Sequence, residues 1–329
     1  MKVKSMPGMT VRRSAAVRKA WHGTPRIWRP TAALLAMGLA VTLAACGSST
    51  GSSGSTGTAS KVVATYPGVK EDVALHNAVP ANYRSNGVKI AVFNDWPPDE
   101  FLQNNQLTGW SVDLAHAMAA VLNLKFTYTP TSFDAVLPGI QNGRFGAGFA
   151  SFGITPQRLQ VLSFIPERSD GETYAALQTS NLDITALSQL CGHSVAVLTG
   201  AFDYQYLLSE SKSVCTAKGS KPITLDQYTT QTEAELAVLS GRAQLTAGGS
   251  ADLGYMVRQQ PKMALSTLVV NPVYNCIGVR KGDKLGISLA DALQQLINDG
   301  VYQQIMKKWG VGGLVSKGML ATQSDPDPH

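Results

Sequence analysis

The arginine that ends Ile154-Thr155-Pro156-Gln157-Arg158 is well suited to holding an anion. Its planar guanidinium can make two charge-assisted hydrogen bonds to one carboxylate. Thr155 and Pro156 are residue types that open a helix, which would turn nearby backbone N–H groups toward the same anion. The alternative is an arginine on a solvated helix turn. The four cysteines follow a different logic. Cys46 ends an apolar run in Leu43-Ala44-Ala45-Cys46, which resembles the bacterial lipobox, where small residues precede a cysteine that is linked to diacylglycerol before cleavage. Cys191 stands before an apolar stretch and Cys215 after a helix-like one. The pair could staple one strand–helix unit, and closing a loop of about 25 residues would contribute ~3 kcal/mol. Cys276 is then left over in the apolar run 273–279, where a buried, inert thiol is expected. His22, His76, His116, His193 and His329 show no ligand spacing with one another or with cysteine, so no metal and no cofactor is expected. No Gly-x-Ser-x-Gly elbow or Cys/His pairing marks a hydrolase.

Charge is sorted by position. The 329 residues carry 28 Lys and Arg against 22 Asp and Glu, a formal +6. Lys2, Lys4, Arg12, Arg13, Arg18, Lys19, Arg26 and Arg29 are the only charged residues before Cys46, so 20 bases face 22 acids from there on, a net −2. A nucleic-acid binder is therefore excluded. Behind the basic segment, the uncharged run 31–45 is shorter than the ~20 apolar residues of a membrane-spanning helix. Residues 1–45 read as an export signal. Arg12-Arg13 raises the twin-arginine route, although the residues that follow lack the apolar positions expected there. The Gly/Ser tract ending at residue 60 is too polar to pack, and about 14 such residues reach roughly 20 Å. Together these features describe a globular body tethered by lipidated Cys46 to the outer face of the cytoplasmic membrane. With 44% hydrophobic and 15% charged residues, that body can bury one large core or two smaller ones.

The elements that would position Arg158 alternate. Residues 61–87 form a lead-in, and 88–93 (VKIAVF) reads as a strand. From Ser111 onward, Leu114, Ala117, Met118, Val121 and Leu122 fall on one helix face. A strand at 125–129 follows, then a helix over 133–141 that Ser132 can N-cap and Gly143 stops. The second half repeats the rhythm: strand 195–198, helix 203–211, strand 223–228, helix 231–240, strand 245–247, and two amphipathic helices over 288–298 and 301–309. This is an α/β chain with mostly parallel sheet and right-handed crossovers. The tail beyond Trp309, with Gly312-Gly313, is expected to be loose.

Several phrases in fixed order carry a resemblance: Asp95-Trp96-Pro97-Pro98, Leu107-Thr108-Gly109-Trp110-Ser111-Val112-Asp113-Leu114, Ser132-Phe133-Asp134, Gln141-Asn142-Gly143-Arg144, the Arg158 phrase, and Gly300-Val301-Tyr302 with Lys308-Trp309-Gly310. The chain resembles the family 3 extracellular solute-binding proteins, the polar amino-acid receptors of ABC importers, over roughly residues 69–313. The Leu190-Cys191-Gly192 and Cys215 arrangement is similar to disulfide-bearing lipoprotein members. The resemblance implies a type II periplasmic-binding-protein-like clamshell whose two α/β lobes close on a ligand by hinge rotation. Lobe 1 would comprise 88–173 plus 273–311, lobe 2 174–272, and 312–329 the loose tail.

The resemblance also assigns residues. Arg158 would grip a ligand carboxylate, and Ser151 and Gly153 would offer backbone groups. Trp96 would stack on the ligand with Phe133 opposite, although each could instead be core. Thr199-Gly200-Ala201-Phe202 would open a helix toward the same carboxylate. Departures from the family pattern are as informative. Gly249 stands where typical members place an Asp that clamps the α-amino group, Phe202 where they place Thr, and Phe93 where receptors for basic amino acids place Asp. An ammonium without a carboxylate in a desolvated cleft costs several kcal/mol. Either Asp252, Asp99 or Glu167 replaces it, or the ligand has no α-amine. Phe93, Trp96, Phe133, Phe152 and Phe202 could wall the cleft, suiting a planar or apolar body on a carboxylate, or a cation over rings. The implied function is a monomeric, non-enzymatic binding protein that captures a small carboxylate-bearing solute and docks on importer membrane subunits. The alternatives are a dehydratase-like enzyme on the same scaffold, with Glu167 the one acid or base candidate, or a sensor that does not feed transport.

Overall fold

Alternation of faces explains why the strands read as near-continuous apolar runs. In β1 (Val88–Phe93), Val88, Ile90 and Val92 turn to one core while Ala91 and Phe93 turn to another, leaving only Lys89 exposed. A strand covered on both faces must be apolar on both. The computed structural model describes residues 66–321. The export segment, Cys46, the tether and residues 322–329 lie outside the described residues.

Beyond β1, a small antiparallel ribbon is built from β2 (Asp95–Trp96), β3 (Glu100–Gln103) and β4 (Gln106–Thr108). The main sheet adds β5 (Phe126–Thr131), β6 (Ala147–Phe152), β7 (Leu162–Leu177), β8 (Ser194–Leu198), β9 (Thr224–Tyr228), β10 (Leu245–Gly249), β11 (Met263–Leu265) and β12 (Val270–Arg280). Its order is β5-β1-β6-β12-β7-β10-β8-β9, with β11 paired to β7. Pairing is parallel at both ends and antiparallel where β12 and β7 run through the middle. The expected mostly parallel α/β architecture holds, and the middle strands join its two lobes. β7 is the spine. Its residues are buried at both ends but only half-buried at Ser169, Asp170 and Gly171. Before that waist β7 pairs chiefly with β12, and after it β10 joins from Glu172 onward.

Helices fill both faces. α1 (Val73–Ala78) and α2 (Ala81–Asn86) lead in. α3 (Trp110–Val121) presents Trp110, Leu114, Met118 and Val121 to the larger core of lobe 1. It starts at Gly109, φ 131°, where a Cβ would lie 2.0 Å from the Asp99 carbonyl oxygen, so only glycine fits. α4 (Phe133–Gln141) covers the opposite face with Phe133, Val136 and Ile140. α5 (Pro156–Leu159) is one turn, opened by Thr155, whose Oγ1 accepts from Arg158 N at 3.2 Å. In lobe 2, α6 (Phe202–Glu210) packs on one face of the sheet, and α7 (Gln231–Leu239) with α8 (Ser250–Gln259) on the other. The Thr230–Glu233 capping box starts α7. α9 (Leu285–Asn298) and α10 (Val301–Trp309) return to the core beside α3.

Two local expectations differ from the structure. Ser132 occupies the N-cap position of α4, yet its hydroxyl donates to Asp134 Oδ1 at 2.6 Å and makes no cap bond. The stretch 312–321 is also not loose. Ser169 N donates to Gly313 O, Val315 N to the Tyr302 hydroxyl, and Ala321, fully buried, exchanges backbone bonds with Phe164. Of the two glycines that suggest looseness, Gly313 is needed for this close approach: a Cβ on it would lie 1.8 Å from Ser169 O, as one on Gly318 further along would lie 2.3 Å from Ala290 O. Cys191 and Cys215 form a disulfide beside the lobe 2 core, while Cys276 is a free thiol buried in lobe 1.

Candidate ligand-binding site

A cleft of about 530 Å³, its open mouth included, lies where the two lobes meet. Lobe 1 contributes Trp96 from β2, Phe133 from α4, and Ser151 and Gly153 at and just beyond the end of β6. The waist of β7 contributes Asp170, Gly171 and Glu172, and β12 contributes Val273 and Asn275. Lobe 2 supplies Ala201, Phe202 and Asp203 at the start of α6, and Gly249 at the end of β10. Ser151 holds a left-handed backbone, φ 42°, a costly conformation for a non-glycine residue. Its Oγ lies 2.8 Å from Asp99 Oδ2 and 3.2 Å from Glu100 Oε2.

Arg158 is not among the residues that line this cleft, but it bonds Gly153, which is. Nη1 donates to Gly153 O at 2.7 Å and Nη2 to Gly200 O at 2.9 Å, so one guanidinium ties lobe 1 to lobe 2. It lies over the rings of Phe152 and Phe133 at 5.4 and 5.6 Å. Burial pulls its pKa down to about 10, against the attraction of Asp203. It remains charged at neutral pH. Two other contacts cross the cleft: Asp95 accepts from Thr232 N at 2.8 Å and Thr232 Oγ1 at 2.6 Å, and a Cβ on Gly153 would sit 3.2 Å from Phe202.

The aromatic residues divide into wall and backing. Trp96, Phe133 and Phe202 line the cleft. Phe93 and Phe152, each 1% exposed, pack behind Phe133 with ring centroids 5.5 Å from it. They are core, and the expected five-ring wall has three rings.

The acidic residues offered as replacements at the Gly249 position lie elsewhere. Asp99, 1% exposed, is a structural hub that accepts from Trp110 Nε1 at 2.6 Å, Ser151 Oγ at 2.8 Å and Asn275 Nδ2 at 3.0 Å. Glu167 is buried and accepts from Ser111 Oγ at 2.9 Å. Asp252, in the first turn of α8, is fully buried beside Gly248. None of the three lines the cleft. The carboxylates that do are Asp170, Glu172 and Asp203. Strand geometry explains part of this: Asp170 and Glu172 sit two apart on β7 and share a face, whereas Glu167 is the extra residue at a register shift, between Arg168 paired with Asn275 and Pro166 paired with Cys276.

Burial pushes the Glu100 and Glu167 carboxyls well above the ordinary carboxylate range, and Asp99 nearby raises both further. Each has an oxygen without a hydrogen-bond partner, Glu100 Oε1 and Glu167 Oε2. A carboxyl whose folded pKa is raised holds its proton after the unfolded chain has lost it. Its contribution to stability is therefore complete below pH 4.5, the ordinary glutamate value, and is lost as pH rises toward the folded pKa. We expect unfolding free energy to fall as pH rises above that value, by up to about 1.4 kcal/mol per pH unit for each such group. Urea unfolding of Glu100→Gln should show a flatter pH dependence than the parent. Parallel curves would contradict this.

Comparison with known proteins gives the site a context. Residues 88–312 match the model of the bacterial extracellular solute-binding proteins, family 3. The arginine-binding protein ArgT of Corynebacterium glutamicum is 29% identical over 253 residues, 74% of this chain and 82% of the relative. A putative ABC transporter arginine-binding protein 2 of Escherichia coli K12 is 28% identical over 230 residues, 68% of this chain and 90% of the relative. Among solved structures, an ancestral arginine-binding protein bound to arginine superposes with a TM-score of 0.61 at 28% identity, covering 68% of this chain and 97% of its own. The family match spans both lobes, the waist between them and the cleft, and the chain belongs to the family 3 bacterial extracellular solute-binding proteins.

Proposed function

We propose that the chain is the membrane-anchored, extracytoplasmic solute-binding component of an ABC importer. It captures one small carboxylate-bearing solute, an amino acid or a close relative, between two closing lobes, with Arg158 gripping the carboxylate and Trp96, Phe133 and Phe202 enclosing the body. The observation that carries this reading is the position of Arg158. Its guanidinium lies over two aromatic rings, makes no ion pair among the described residues, and binds only the backbone carbonyls of Gly200 and of Gly153, which lines the cleft with Phe133. A carboxylate can exchange for those carbonyls with a gain in charge complementarity. The names of the relatives, arginine-binding proteins, support an amino acid as the solute.

The lobe division at 173 and 273 belongs to the same proposal, and the change of β7 partners at Glu172 supports it. The lipid anchor at Cys46, docking of the closed monomer on importer membrane subunits, and an absence of catalysis are further parts of the proposal. A thermal-shift screen over amino acids, aromatic carboxylates and quaternary amines tests the solute. A true ligand at 100 times its Kd adds about 2.7 kcal/mol of stability, a rise of roughly 5–10 °C for a chain of this size. A screen in which no carboxylate-bearing compound shifts the transition would overturn the reading. Cys46→Ser should move the protein from the membrane fraction to the soluble one, and retention in membranes would point to an uncleaved anchor.

A further inference from the structure

The three charged side chains that line the cleft, Asp170, Glu172 and Asp203, are all acidic. They are not equivalent. A Cβ built on Gly249 would lie 2.8 Å from Asp170 Oδ2, so Asp170 places its carboxylate in the space that a side chain at position 249 would take. That carboxylate is already saturated. Oδ1 accepts from Gly171 N and Ser250 Oγ, and Oδ2 from Arg168 Nη2 at 2.8 Å and Ala251 N at 3.2 Å. A carboxylate has about four acceptor sites, and these bonds use them.

Glu172 and Asp203 differ on that point. They are 3% and 8% exposed. Glu172 Oε1 accepts from the Tyr174 hydroxyl at 3.1 Å, but Glu172 Oε2 and Asp203 Oδ2 have no partner. Burial pushes both carboxyls up, Asp203 to about 6, and the nearby Asp203 charge raises Glu172 further. Arg158, whose charge favours ionised Asp203, donates instead to Gly153 O and Gly200 O. Two buried carboxyls with unused acceptors are a costly arrangement, and a cation between them relieves both the desolvation and the repulsion.

We propose that Glu172 and Asp203 form a cation subsite of the cleft, which takes a side-chain ammonium or guanidinium group of the ligand rather than its α-ammonium. Phe202, adjacent to Asp203, supplies a ring face for the same charge. The subsite makes this a receptor for cationic solutes. It rests on the solute-capture reading for the existence of a ligand, but not on the grip of Arg158.

Calorimetric titration of the purified full chain tests it with four cations, L-arginine, L-lysine, agmatine and choline, and two neutral counterparts, L-citrulline for arginine and L-norleucine for lysine. The subsite predicts that at least one amino acid binds at least tenfold tighter than its neutral counterpart, or that agmatine or choline binds without a carboxylate. Glu172→Gln and Asp203→Asn should each weaken the bound cation at least tenfold and leave a neutral counterpart within threefold. The ratio between cation and neutral counterpart in the unmodified protein needs no variant, so a misfolded variant does not blunt the test. Equal affinities for charged and neutral counterparts, a preference untouched by both substitutions, or no binding by any of the four cations would overturn it. Neutral carboxylates that bind as well as cations and depend on Arg158 would sink the subsite and keep the solute reading. Binding of agmatine alone, sensitive to Glu172→Gln, would keep the subsite and sink the carboxylate grip.

Discussion

Arg158→Ala should remove the thermal stabilisation given by a carboxylate-bearing ligand and weaken its binding by at least about 100-fold. Each hydrogen bond from a guanidinium to a carboxylate contributes about 1.5–3 kcal/mol, and the planar fork offers two at once. The free protein should tolerate the change. Arg158 is half-buried, makes no ion pair among the described residues, and its two bonds go to the carbonyls of Gly153 and Gly200. Its loss also unties Gly153 from Gly200, so the ligand-free lobes should spend more time apart. Arg158→Lys keeps the charge and loses the fork, and should fall between. Calorimetry on the three proteins separates the outcomes: unchanged affinity in Arg158→Ala would make this residue a latch between lobes and nothing more.

Asp99→Ala should do the opposite, unfolding the protein more easily for a reason unrelated to ligand. Three donors, the buried Trp110 Nε1 and Asn275 Nδ2 and the half-buried Ser151 Oγ, converge on this carboxylate, and they come from α3, β6 and β12. Removing the acceptor strands them. Leaving a buried donor without its acceptor costs about 1–3 kcal/mol, and the cost falls on the joint that holds the cleft strands in place. Urea unfolding at neutral pH measures it. A loss under about 1 kcal/mol with a collapse in ligand affinity would return Asp99 to the binding site.

Asp99 shows where the sequence stops being readable. Periodicity within one element was legible: the two faces of β1, the apolar face of α3 and the Thr155-Pro156 helix start all follow from residues a few positions apart. Arg158 stood out because its phrase is short and its chemistry belongs to one side chain, and the structure sets its guanidinium on the carbonyls of Gly153 and Gly200. Cleft acidity was not. Glu167, Asp170 and Glu172 lie within six residues, and which of them faces the cleft depends on the parity and pairing of β7, set by partners a hundred residues away. The polar run at the waist looks like a loop, yet it is the middle of a 16-residue strand. The signal that could have found the pair was the i, i+2 spacing of Asp170 and Glu172 around Gly171, whose own Cβ would strike Val269 at 2.3 Å. The rings were half legible for the same reason: nothing local distinguishes Phe93, in the second layer, from Phe133, in the first.

The central claim is that the cleft closes on one small carboxylate-bearing solute. A calorimetric titration of the purified chain with L-arginine and then with the other amino acids tests it most directly. The account predicts saturable binding of at least one of them at one molecule per chain, lost in Arg158→Ala. Titrations without heat or saturation for every amino acid, or saturation that survives Arg158→Ala unchanged, would contradict it.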